Sequence, residues 1–294
     1  MLDRIPLPLS VINIGIDPVL VHLGPISVHW YGVMYVLGIA AGLYFILPYA
    51  ARRGVDRDTA YDIFWPVLIG CLIGGRLYYV VQSNLGYYLT HPAKILATWE
   101  GGMVFYGAVF LGAVTAFVAC RWKHVSFPLA LDVAALFIPL AQAIGRIGNL
   151  VNGDIIGYRS TLPWATRYTN PNNTFVPSHT LAYQPAAAYE LLFSLALLVL
   201  IYALRFRFRV PGTLFALWLV LYSIGQFLLF FGRDNVIVML GLKQAQLTAI
   251  VVVVLALPIW YLWRQYYLGH HEDIDRDAEP RPALAGSPDL TASG

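Results

Sequence analysis

Ala143-Ile-Gly-Arg-Ile-Gly-Asn-Leu-Val-Asn-Gly-Asp-Ile-Ile-Gly157 is the stretch that decides how this chain is read. It closes an apolar run of membrane length, yet it holds an arginine, two asparagines, an aspartate and four glycines. An ionised group is costly in hydrocarbon, so an arginine here marks an anion site near one membrane face. On a helix, Arg146, Asn149 and Gly153 share a face through i, i+3, i+7 spacing. Gly145 and Gly148 let a neighbouring backbone or a lipid headgroup approach closely. Gly153 and Gly157 suit the turns that end a helix and re-enter as irregular backbone under protein or water cover. Each asparagine both donates and accepts, so the pair can orient a phosphodiester or an ester. The plainer alternative is a packing motif with Arg146 snorkelling to the interface. Five polar or glycine residues converging on one turn weigh against it.

Composition places this stretch in a membrane protein. The chain has 294 residues, of which 59% are hydrophobic and 12% charged, against about 25% charged in a soluble domain. At about 20 residues per span, the length suits one bundle of roughly six to eight helices. The formal charge of +3 is too small to indicate a nucleic-acid partner. Cys71 and Cys120 lie far apart inside apolar runs and read as small buried hydrophobes. The opening MLDRIPLPLS is broken by two prolines and is not expected to be a cleavable signal. His270 and His271 are a weak metal signal, and no metal is expected. Nothing resembles a phosphate-binding glycine loop, a serine–histidine–aspartate set or a zinc motif.

Seven apolar runs, at 29–51, 61–83, 101–120, 129–150, 185–204, 211–231 and 246–263, predict an all-α polytopic fold, a seven-helix transmembrane bundle. Arg52, Arg53 and Arg57 follow the first run, Arg121 and Lys123 the third, Arg205, Arg207 and Arg209 the fifth, and Arg264 the seventh. That side is cytoplasmic by the positive-inside rule, with the N-terminus outside and the C-terminus inside. Residues 1–28 read as an interfacial segment, 29–268 as the membrane domain, and 269–294 as a disordered cytoplasmic tail. The longest connection, 151–184, is expected to form a small extracytoplasmic cap. Arg76, in Gly74-Gly-Arg76, and Arg146 both fall roughly 5–10 Å below the outer ends of their spans at about 1.5 Å per residue. That is headgroup-phosphate depth in the outer leaflet.

Other residues fall at the same outer level. His29 and Trp30 sit where an aromatic belt is expected, and Tyr31 lies slightly deeper, in reach of a headgroup. Arg76, Tyr79 and Ser83 form a polar stripe on the second span. Tyr106, after Trp99-Glu-Gly-Gly102, reads equally as a belt residue or as a site residue. Glu190, just inside the fifth span, is expected to pair with an arginine, Arg76 or Arg146. Asp132 reads as a charge at the N-terminus of the fourth helix. Arg233-Asp234 ends the sixth span, with Gln226 buried inside it. Two or three arginines around one phosphate could stabilise a departing phosphate leaving group.

Taken together these residues resemble the phosphatidylglycerol–prolipoprotein diacylglyceryl transferases of bacteria. The family signature Gly-Arg-x-Gly-Asn-x-x-Asn-x-Glu-x-x-Gly is met by Gly145-Arg146-Ile-Gly148-Asn149-Leu-Val-Asn152-Gly-Asp154-Ile-Ile-Gly157, with Asp in place of Glu. Gly24-Pro25, His29-Trp-Tyr-Gly32, Gly74-Gly-Arg76, Trp99-Glu-Gly-Gly102 and Tyr189-Glu190 follow the family's order. The resemblance implies transfer of the diacylglyceryl group of phosphatidylglycerol to the lipobox cysteine thiol of a prolipoprotein. A thioether forms and glycerol phosphate leaves. It implies no metal or organic cofactor, and a lipid bilayer, the bacterial inner membrane, as the setting, with the active site facing the outer leaflet. It further implies that Arg146 binds the phospholipid, with His29, Arg76, Glu190 and Arg233 on the substrate side. Tyr31, Tyr106, Asn149, Asn152, Asp154 and Gly157 form the catalytic set.

Three departures stand out. Tyr106 occupies a position where many members have histidine. Gln184-Pro185 replaces a His-Pro. By ungapped alignment, Gln226 and Phe230 stand where the family has an arginine and a glutamate, so one positive charge is lost near the phosphate. Arg233, Arg167 and Arg159 are the candidates to compensate. Two other functions are therefore carried: a divergent homologue that binds phospholipid or prolipoprotein without turnover, and an anion transporter.

Overall fold

The computed structural model describes residues 11–24, 26–98 and 101–278. Arg4, Pro25, Trp99, Glu100 and residues 279–294 lie outside that range. Seven helices dominate: α1 (Trp30–Arg52), α2 (Arg57–Thr90), α3 (Phe105–Trp122), α4 (Phe127–Asn152), α5 (Ala186–Leu204), α6 (Thr213–Leu229) and α7 (Gln244–Ala278). Six of them, all but α6, are long and apolar enough to cross a membrane. With 17 residues, α6 is about 25 Å long.

Helix boundaries follow local chemistry. The Asp56 side chain caps α2, Oδ1 accepting from the amides of Asp58 (2.9 Å) and Thr59 (3.0 Å). The second span was expected to stop at Ser83, and the backbone of α2 does leave helical geometry at Asn84 (φ −163°, ψ 81°). Asn84 Oδ1 then accepts from the Tyr87 amide at 3.1 Å and restarts the helix to Thr90. The tail expected from residue 269 starts as helix instead, since α7 continues to Ala278 past a break at His270.

Glycine sets the closest seams. A methyl on Gly74 of α2 would run into the Gly107 carbonyl of α3, and one on Gly107 into the Gly74 carbonyl. Across α1 and α4, a Cβ on Gly148 would stand 3.0 Å from Tyr31 Cα. That approach brings the Arg146 turn against the start of α1. At the other end, Leu43, Ile46, Leu136, Leu197, Ile201, Leu214 and Trp218 form the buried apolar core.

Asp132 corrects one expectation. It does not serve its own helix: the buried carboxylate crosses to α6, accepting from the amides of Gly212 (2.8 Å) and Phe215 (3.0 Å). The first turn of α6 has amides without helical partners, and Asp132 supplies the acceptors that Gly212 at the cap position cannot.

The segment before α1 holds three strands, β1 (Ile12–Ile14), β2 (Val19–Leu23) and β3 (Ile26–His29), with β2 and β3 paired antiparallel. The 151–184 connection, the expected cap, packs on the end of α4, where Asn173 Nδ2 donates to the carbonyls of Val151 (3.0 Å) and Asn152 (3.3 Å). Its strand β4 (Thr166–Tyr168) pairs parallel with β1, so the N-terminal segment and the cap are one unit. Asp17 locks them, its Oδ2 accepting from Asn172 Nδ2 at 2.6 Å. The Val19 amide, followed by Asn172, holds the Asp17 carboxyl below its usual range. Between α6 and α7, β5 (Ile237–Met239) and β6 (Leu242–Lys243) make a hairpin.

Candidate active site

The opening stretch behaves as its spacing predicts. α4 ends at Asn152, and Gly153 (φ 75°) takes the left-handed conformation that an L side chain rarely adopts. The turn brings Asp154 back onto the helix end, where Asn149 Nδ2 donates to both carboxylate oxygens (3.2 and 3.0 Å). Arg146 Nη1 donates to Asn149 Oδ1 at 3.1 Å. The result is a chain Arg146–Asn149–Asp154, with Asn149 2% exposed and fixed from both sides. Asn152 is buried below it, its carbonyl accepting from Asn173 Nδ2 of the cap at 3.3 Å.

The chain then passes between two other segments. The Gly157 amide donates to the Gln184 carbonyl at 2.9 Å, and Gly157 bridges to Arg233. A Cβ on Gly157 would collide with the Gly232 carbonyl and stand 2.8 Å from Gln184 Cβ. Only glycine fits this crossing. It is the crossing that carries Arg233 to α4.

Glu190 of α5 is the centre of the charge arrangement. It is 1% exposed and meets two arginines. Arg146 Nη2 lies 2.6 Å from Oε2, an ion pair by distance without the alignment of a hydrogen bond. Arg233 Nη1 donates to Oε1 at 2.9 Å. The expected pairing with Arg146 is present, and the second partner is Arg233. The buried carboxylate offsets one of the two guanidinium charges, Asp154 stands behind Asn149, and both arginines stay partly open, at 21% and 14% side-chain exposure. Burial pulls the Arg233 guanidinium below its usual range, opposed by the Glu190 carboxylate. Tyr31 lies in the field of Arg146 and Asp154, its hydroxyl donating to Tyr35 at 3.0 Å. Tyr222, bonded to Gln142 Nε2 at 3.1 Å, lies in the field of both arginines and Glu190.

Arg76 is a correction. It was expected beside Arg146 on the phosphate, but all five of its N–H groups go to main-chain carbonyls. Nε donates to Ile95 (2.8 Å), Nη1 to Gly101 (2.5 Å) and Gly102 (3.0 Å), Nη2 to Lys94 (2.7 Å) and Ala97 (3.2 Å). Tyr79 and Tyr88 flank it at 5.5 and 5.7 Å. A guanidinium with five donors spent has none for a phosphate; it clamps residues 94–97 to residues 101 and 102. Two other expected residues also lie apart from the cluster. His29 faces the Ser27 carbonyl (3.2 Å) at the start of α1. Tyr106 on α3 reaches Thr248 Oγ1 of α7 at 3.0 Å. Thr248 donates its own proton to the Gln244 carbonyl, so Tyr106 is the donor between them.

Phe230 and Gln226, the departures on α6, also find places. The Arg233 guanidinium lies over the Phe230 ring, 4.5 Å from its centre, so the aromatic face supports the arginine that Glu190 holds. Gln226 is buried, its Nε2 without a partner among the described residues. Of the candidate compensating arginines, Arg233 joins the site. Arg167 instead donates to Asn13 Oδ1 at 2.9 Å, and the main chain of Arg159 pairs with that of Tyr183.

Sequence reasoning missed Lys243. It is 5% exposed, and its Nζ donates to the carbonyls of Phe230 (2.6 Å) and Arg233, above the Tyr158 ring at 4.9 Å. It ties off the end of α6 and fixes the main chain from which Arg233 projects. A lone lysine after an apolar hairpin gives no such signal in sequence.

A family model described as prolipoprotein diacylglyceryl transferase matches residues 18–262. The phosphatidylglycerol–prolipoprotein diacylglyceryl transferase of Geobacter sulfurreducens is 37% identical over 223 residues, 74% of this chain and 83% of that protein. The protein of the same name from Desulfotalea psychrophila is 36% identical over 262 residues, 85% of this chain and 93% of that one. That from Bordetella avium is 37% identical over 223 residues. The match spans α1 to α7 and so includes the Arg146–Glu190–Arg233 cluster, and on it the chain belongs to the prolipoprotein diacylglyceryl transferase family.

Proposed function

We propose that the protein transfers the diacylglyceryl group of phosphatidylglycerol to the lipobox cysteine of a prolipoprotein. The reaction runs in the bacterial inner membrane, at a site facing the outer leaflet, in a bundle of seven spans that counts α6. The thiolate sulfur attacks the glycerol carbon that bears the phosphate. A C–S bond forms and the C–O bond breaks, its electron pair leaving with glycerol phosphate. The thiol proton goes to a base or to solvent. The observation that supports this reading is the pair of guanidiniums sharing Glu190. Arg146 and Arg233 are held by a buried carboxylate while keeping N–H donors uncommitted, as stabilisation of a developing phosphate charge requires. Asn149 and Asp154 set the orientation of Arg146, and Tyr31 stands beside them for the glycerol or headgroup hydroxyls.

Transfer of label from phosphatidylglycerol to a lipobox peptide in proteoliposomes is the test. Wild-type protein is expected to give a cysteine- and lipid-dependent product, and Arg146→Ala to lose it. The second reading, binding without turnover, rests on Gln226 and Phe230 replacing a charged pair. Lipid and peptide binding without product would favour it.

A further inference from the structure

We propose that the bundle carries a second lipid site at the end opposite Arg146, a groove between α1 and α5 that holds an anionic phospholipid by Arg52 and Arg205. α1 runs from Tyr31 at the Arg146 end to Arg52 at the far end, and α5 from Glu190 to Arg205. Between the two far ends lies a cavity of about 370 Å3. Tyr44, Pro48 and Leu136 give it an apolar wall, and Arg52, Arg205 and Phe206 line it as well. Both guanidiniums lie against the same Phe206 ring, 5.8 and 4.8 Å from its centre. Arg205 also stacks on Tyr202 at 3.6 Å. The Tyr49 hydroxyl donates to the Arg205 carbonyl at 3.2 Å and fixes its main chain to α1.

Among the described residues neither guanidinium meets a carboxylate. Two cations held side by side without an anion are stable only where solvent or a ligand supplies the charge. Arg205 Nη1 donates to the Tyr202 carbonyl; ring stacking uses the guanidinium faces and leaves the remaining N–H edges for phosphate oxygens, onto which such edges fork. Basic pockets between helix ends are the form that headgroup sites take at this depth. The apolar wall selects a lipid over free phosphate: Tyr44, on the membrane-length helix α1, is 81% exposed and offers its ring to an acyl chain.

The test measures retention of dioleoyl phosphatidic acid by native mass spectrometry on the full chain, in an Arg146→Ala background that removes the other anion site. Arg52→Gln with Arg205→Gln is expected to weaken binding about thirty-fold, the loss of two phosphate-facing charges. Arg57→Gln with Arg209→Gln removes the same charge outside the groove and is expected to stay within about two-fold. Arg52→Lys with Arg205→Lys keeps the charge and should recover most of the binding. Equal losses in the two glutamine pairs would overturn the proposal in favour of diffuse surface charge. Retention of dioleoyl phosphatidylcholine equal to that of phosphatidic acid would also overturn it, as would full displacement by inorganic phosphate.

Discussion

Replacing Glu190 by Gln removes the carboxylate that both Arg146 and Arg233 contact while keeping the side-chain shape. The carboxylate oxygens lie 2.6 and 2.9 Å from the two guanidiniums and are 1% exposed. Removing one partner of a buried ion pair typically costs about 3–5 kcal/mol. Independently, two like guanidinium charges sharing one carboxylate repel each other once it is neutralised, by roughly 2 kcal/mol at an effective dielectric of about 20. We therefore expect Glu190→Gln to lose about 3–5 kcal/mol of stability, seen as a fall in melting temperature of about 10 °C. Transfer should slow about 100-fold, because a displacement of the guanidiniums removes roughly 3 kcal/mol of transition-state stabilisation. The diagnostic readout is lipid dependence. A phosphate anion can supply the charge that the variant lacks, so phosphatidylglycerol should raise the melting temperature of Glu190→Gln more than that of wild type. A variant with wild-type melting and transfer, or one that phosphatidylglycerol stabilises no more than wild type, would refute the shared-carboxylate reasoning.

Arg76→Lys should behave as a severe change despite its conserved charge, since three donors cannot satisfy five carbonyls. Limited proteolysis between residues 94 and 102 should accelerate, while phosphatidylglycerol binding by the surviving folded fraction stays at the wild-type level. Lys243→Met leaves the Arg233 carbonyl without a donor among the described residues and the Phe230 carbonyl with only the Arg233 amide at 3.4 Å. A loss of about 2 kcal/mol follows, with kcat falling more than KM rises as Arg233 loses its support. Because Tyr106 donates to Thr248, Tyr106→Phe and Thr248→Val should slow transfer alike, by a factor of about ten or less. Abolished transfer in Tyr106→Phe alone would instead make its hydroxyl a reacting group.

The helices and the motif at 143–157 were legible because their signals are local. Six apolar runs long enough to span and a Gly153 at the end of α4 are written in contiguous residues. The Arg146–Asn149 contact follows from i, i+3 spacing along one helix, and Asp154 needs only one further turn. Arg76 was misplaced because its true partners are main-chain carbonyls, which leave no trace in residue identity. Each following a glycine inside an apolar run, Arg76 and Arg146 look alike by sequence. Fold alone separates a guanidinium with every donor spent from one with donors to spare.

What the sequence by itself determined is the class of protein, the run of helices and the place of an arginine among glycines and asparagines at one end of α4. Burial of charge in hydrocarbon demands a reason, and that demand is readable from composition and spacing alone. Only the tertiary structure decided which charges meet. Glu190, Arg233 and Lys243 come from α5, the turn after α6 and the following hairpin, and Gly157 brings them to Arg146 by leaving room for the Gly232 carbonyl. Ion pairs form by proximity in three dimensions, and between segments 40 or more residues apart that proximity is fixed by helix packing rather than by spacing along the chain.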